Sequence, residues 1–68
     1  MTEVILSSYV DVKDFRILMR ENDLIITNEE EVEDGFKFSV TQNTTCIEPD
    51  LDAYIEGLMV YTSMEWKF

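Results

Sequence analysis

Histidine is absent from these 68 residues, cysteine and proline occur once each and glycine twice, and each scarcity closes off a class of protein. Without histidine, the Ser-His-acid and Cys-His arrangements of nucleophilic catalysis cannot be assembled. Cys46 is single, so it forms no internal disulfide, and one Cys without His falls short of the ligands a zinc site takes. It has no basic sequence neighbour to activate its thiol and reads as a small buried residue. Gly35 and Gly57 are isolated, which leaves no phosphate-cradling loop. Apolar runs are far below the ~20 residues of a membrane helix. The segment from Met1 to Ser8 lacks the basic start of a signal peptide, so a cytoplasmic location is expected. Asn43-Thr44-Thr45 fits the glycosylation pattern, which carries little weight without a secretory signal.

Positive charge is the other scarcity. Five Lys and Arg face fifteen Asp and Glu, leaving a net charge of −10. Such a surface repels nucleic acid and anionic membranes and is drawn to basic protein surfaces. Hydrophobic residues make up 46% of the chain and eight residues are aromatic, enough for a folded core in place of a disordered acidic tail. The length allows one domain, at the small end where burial is thin and oligomerisation is a common support.

The segment Thr2 to Tyr9, rich in Val, Ile, Leu and Tyr, reads as a strand. Asp11 is placed to cap a helix reaching Asn22, with Val12, Phe15, Leu18 and Met19 on one face and Lys13, Arg16 and Arg20 on the other. Ile17 breaks the segregation. The rival is a strand with Phe15, Ile17 and Met19 inward. The three bases read as internal or intersubunit ion-pair partners for acids. Leu24 to Thr27 and Phe36 to Thr41 form a hairpin signal. Setting Ile26 against Phe38 and Leu24 against Val40 keeps the apolar side chains on one face and leaves 29–35 as the tip. A tighter turn at Asp34-Gly35 is disfavoured, because it faces Glu29, Glu31 and Glu33 toward Val40, Phe38 and Phe36.

Pro49 suits the first turn of a final helix, and Glu48, Asp50 and Asp52 complement its dipole. Leu51, Ile55, Leu58 and Thr62 follow the spacing of a buried face. Ala53, Gly57, Val60 and Met64 make a second stripe, with small residues four apart. From Met64 to Phe68, helix and strand compete. The expected fold is α+β: a βαββα domain with an antiparallel sheet of about three strands, covered on one face by two helices.

Two carboxylate groups are candidate partner-binding sites: an acidic prong of Glu29, Glu30, Glu31, Glu33 and Asp34, and a second cluster of Glu48, Asp50, Asp52 and Glu56. The second misses the calcium-loop pattern, which needs alternating ligands, a central glycine and a terminal Glu. No metal, cofactor or catalytic group is expected, and the chain is read as no enzyme. Carboxylates on a scaffold can meet the Lys and Arg that otherwise bind phosphates. In size, charge and lack of catalytic residues the chain is similar in type to the small acidic proteins of bacteriophages and mobile elements. These act as DNA mimics against restriction, CRISPR or repair enzymes; no motif ties the chain to one family of them. The expected partner is a protein with a basic surface, without direct nucleic-acid or membrane binding. The alternative is an interaction module that dimerises or binds a partner through Ala53, Gly57, Val60 and Met64. Trp66 and Phe68 stand either as further interface residues or as the closure of the core.

Overall fold

The computed structural model describes residues 2–42 and 50–68. Alternation on the first strand, β1 (Thr2–Leu6), buries Thr2, Val4 and Leu6 and exposes Glu3. After β1, the Ser8 side chain accepts a hydrogen bond from the Val10 N–H and caps a short 3-10 turn, Tyr9–Asp11. The helix α1 (Val12–Glu21) follows, and its Phe15 and Met19 are buried with i, i+4 spacing. Val12 and Leu18 pack beside them. The inward face is therefore the expected one, and the rival strand is excluded. Asp11, however, makes no side-chain cap. Its carboxylate instead accepts from the backbone N–H of Glu65 at 3.4 Å, tying the start of α1 to the chain end.

The hairpin of β2 (Leu24–Val32) and β3 (Gly35–Gln42) differs from the sequence expectation. Val32 pairs with Gly35, so the tip is only Glu33 and Asp34, and Glu31 and Glu29 stand opposite Phe36 and Phe38. This tight turn would turn Leu24 and Ile26 away from the core if the register ran unbroken, because one residue of slip exchanges the faces of a strand. The register breaks between Ile26 and Asn28, where β2 carries one extra residue. That bulge restores Ile26 against Val40 and Leu24 against Gln42, in place of the expected Phe38 and Val40 partners. Carboxylates beside phenyl rings are tolerated because this stretch of β2 is exposed. The acidic prong is thus ladder-paired strand ending in a two-residue turn.

The second helix, α2 (Leu51–Met59), starts at Asp50, whose side chain accepts from the Ala53 N–H at 3.1 Å. A carboxylate there satisfies a donor the helix cannot and complements the dipole. Pro49 and Glu48, read as part of this first turn, lie outside the described residues, as do Cys46 and the Asn43 site. The helix also ends earlier than expected: Val60 is its C-cap, and the Thr62 hydroxyl donates to the Met59 carbonyl. The chain then extends, and β4 (Trp66–Lys67) pairs with β1, Leu6 against Trp66.

The domain is α+β with a four-stranded antiparallel sheet in the order β2-β3-β1-β4 and two helices. The fourth strand, absent from the three-strand expectation, is the two-residue one that competed with helix at the end of the chain. Both helices contribute to one core, where Phe15 and Met19 of α1 and Ile55 and Met59 of α2 join Val4, Leu6, Leu24, Phe38 and Val40 of the sheet. The phenyl rings of Phe15 and Phe38 lie 4.9 Å apart at its centre. The Thr2 hydroxyl donates to the Asp52 carboxylate, joining β1 to the first turn of α2.

A candidate acidic interface on the hairpin

Cross-strand partners share a sheet face, so the register sorts the prong carboxylates. Glu29 and Glu31 fall on the face of Phe38 and Phe36, the one packed by α1. Glu30 falls with Lys37 on the opposite face, which carries no helix among the described residues. Each face has its own cation. Lys37 lies 4.0 Å from Glu30 and 3.6 Å from Glu3, bridging the two strands that flank β3. Arg16, projecting from α1, pairs with Glu29 while its guanidinium sits 5.8 Å from the centroid of the Phe38 ring. The hydrogen bond from Arg16 to Glu29 holds the guanidinium above its ordinary pKa against a smaller desolvation effect. Lys67 donates to Asp34 at 3.0 Å, fixing the turn to β4.

Three of the five prong acids therefore have basic partners, and Glu31 and Glu33 have none among the described residues. These exposed pairs contribute only about 0–1 kcal/mol each. Their consequence is orientation: Glu29, Glu30 and Asp34 are held, while Glu31 and Glu33 project unneutralised between them. Beside Glu31, the Tyr9 ring meets Phe36 edge-on with centroids 5.8 Å apart, and Tyr9 is 75% exposed. A hollow of about 230 Å³ lies among Tyr9, Val12, Arg16, Glu31 and Phe36.

The other expected sites are placed differently. In the second acidic group, Asp50 caps α2 and Asp52 accepts from Thr2. Glu56 is exposed, and Glu48 lies outside the described residues. Among the described residues, no three acidic side chains converge to hold a metal ion. On α2, Ala53 and Gly57 are exposed, as is Val60 at the cap, but Met64 and Trp66 pack against the core. The stripe is therefore shorter than its spacing implied. Phe68 stacks edge-on against Trp66 at 5.1 Å and is half exposed.

A β-carbon at Gly57 would meet nothing within 4 Å. Gly57→Ala should accordingly stabilise the domain by about 0.5–1 kcal/mol, since an exposed helical glycine costs that much relative to alanine. Urea denaturation checks this, and a loss of stability would mean the site is occupied.

Of the three bases on α1, only Arg16 has an ionic partner; Lys13 and Arg20 make no ion pair among the described residues. They line an open groove of about 570 Å³ between α1 and β2, floored by Met19, Leu24 and Ile26. Within one chain and among the described residues, the expected internal ion pairing is made by Arg16 alone. The sequence reading missed Tyr9, Phe36 and the role of Arg16. The signal available was the alternation Glu-x-Glu at 29–31 against Phe-x-Phe at 36–38, which a two-residue turn brings into register.

No known protein family matches this chain. No curated protein and no solved structure matches it either.

Proposed function

We propose that this chain is a non-enzymatic inhibitor that covers the basic, nucleic-acid-binding surface of another protein with its acidic hairpin, as a DNA mimic does. Proteins that cut, guide to or repair DNA present such surfaces, and a viral or mobile-element anti-defence protein is the setting this reading fits. The observation that carries it is the pair of uncompensated carboxylates, Glu31 and Glu33, on a hairpin end whose other acids are held by Arg16, Lys37 and Lys67. A scaffolded carboxylate loses less conformational entropy on meeting Lys or Arg than one on a loose loop. The net charge of −10 adds long-range attraction to a basic partner.

The test is displacement of labelled DNA from purified restriction, CRISPR and repair enzymes, followed by fluorescence anisotropy. The expected result is release from at least one enzyme, weakening steeply between low and moderate salt. The Glu30, Glu31 and Glu33 to Lys triple variant should release none while keeping its far-UV circular dichroism. Displacement that ignores salt, or that survives the triple reversal, would sink the proposal.

A further inference from the structure

The geometry points to a receptor for an arginine side chain at Tyr9, Phe36 and Glu31. Two cross-strand pairs of one carboxylate and one phenyl ring follow each other along the helix-side face of the hairpin, Glu29 with Phe38 and Glu31 with Phe36. The first is already occupied by an arginine of this chain: Arg16 pairs with Glu29 and lies 5.8 Å from the centre of the Phe38 ring. The second repeats the acid and the ring and adds the exposed edge-on ring of Tyr9, and its acid, Glu31, makes no ion pair among the described residues. A hollow of about 230 Å³ runs along both pairs, with Tyr9, Phe36 and Glu31 at the second and Arg16 and Phe38 at the first. The fold thus contains a filled example of the recognition and, two residues along the strand, an unfilled one.

The chemistry selects the occupant. The carboxylates of Glu29 and Glu31 share the face of the hollow against the single positive charge of Arg16, which disfavours an anion. Ring walls supply no oxygen ligands, and a hard divalent cation takes six or more. A guanidinium is flat, stacks on aromatic faces and grips a carboxylate through two parallel N–H donors. An ammonium is more strongly hydrated and offers no plane to stack. Arginine is therefore preferred to lysine. This deepens the inhibitor reading and rests on it for its biological meaning, since arginine is the side chain a nucleic-acid-binding surface presents to phosphates. Its test needs no identified partner.

The experiment titrates the full chain with hexa-arginine and hexa-lysine peptides at low salt, following the Tyr9 and Phe36 ring signals by NMR. Saturable shifts at both rings are expected with hexa-arginine, with affinity at least about 5-fold above hexa-lysine. Tyr9→Ala should weaken hexa-arginine binding about 5-fold, and Tyr9→Phe should restore most of it, because the ring and not the hydroxyl forms the wall. Glu31→Gln should weaken it about 5-fold or more. Tyr9 is exposed, so its alanine variant is expected to fold, as circular dichroism would verify. Equal affinity for the two peptides, unmoved by Tyr9→Ala, would overturn the receptor and leave a plain acidic interface standing. Failure of the DNA-displacement test with these shifts intact would overturn the inhibitor reading and leave the receptor. Absence of binding to either peptide would overturn both.

Discussion

Gly35→Ala is expected to leave the chain largely unfolded. Gly35 follows the Glu33-Asp34 turn with φ of +141°, and a β-carbon built on it would stand 2.0 Å from the carbonyl oxygen of Leu6. Two costs coincide there. The backbone conformation is one that side-chain-bearing residues rarely adopt, and the atom approached is backbone on the neighbouring strand β1, which cannot swing aside like a flexible side chain. Relief would require parting β1 from β3 at Leu6 and Phe36, the last pair of their ladder. A loss of about 4 kcal/mol is expected, at the upper end for a single substitution, against the roughly 3–5 kcal/mol that a core of this size supplies. Thermal denaturation followed by far-UV circular dichroism measures it. A loss below about 1 kcal/mol would mean that the hairpin turn relaxes without the rest of the sheet. Gly57→Ala is the internal control, the same chemical change where the added atom meets nothing.

Phe15→Ala should cost nearly as much by a different route. The Phe15 side chain is fully buried, its ring lies 4.9 Å from that of Phe38, and it joins α1 to the sheet. Deleting a buried phenyl ring removes its transfer free energy and leaves a cavity the backbone cannot fill, together about 3–5 kcal/mol. In a domain this small no second core shares the loss. Urea denaturation is expected to show little or no folded baseline for Phe15→Ala, while Phe15→Leu, which keeps most of the volume, should retain a cooperative transition. An alanine variant within about 1 kcal/mol of the parent would show that α1 packs less tightly than the ring distance indicates.

The two substitutions also mark where sequence reasoning reached and where it stopped. The inward face of α1 was legible because helical periodicity is a property of consecutive residues, and Phe15 and Met19 carry it without reference to the rest of the fold. The hairpin register was not. Keeping carboxylates away from Phe36 and Phe38 is sound for a strand buried along its whole length, but β2 is exposed at its acidic end and bulged at its middle. A bulge changes which residues face inward without leaving a distinctive residue in the sequence. Likewise β4 is only two residues long, too short for alternation to declare it, and its place beside β1 depends on the chain turning back after Met59. The acids of the candidate site were legible as composition. Their sorting into held and free carboxylates was not, since Arg16 reaches Glu29 and Lys67 reaches Asp34 only through tertiary contacts. For the same reason Tyr9 escaped notice: its meeting with Phe36 joins residues far apart in sequence.

Among the described residues β2 lies at the rim of the sheet, which gives its carboxylates another duty. An outermost strand turns a row of amide and carbonyl groups outward, ready to recruit a strand from another molecule. Here the extra residue at Thr27 interrupts that row, and Glu29, Glu30 and Glu31 follow it directly. Copies of the chain approaching edge to edge would bring like charge against like charge and a kink against a kink. The acids that would draw a basic partner thus also disfavour edge-to-edge pairing between copies. Neutralising Glu29, Glu30 and Glu31 to glutamine would remove the attraction and the charge on the edge together and leave only the kink, whereas the lysines of the triple variant, at positions 30, 31 and 33, remove the attraction and leave the edge charged.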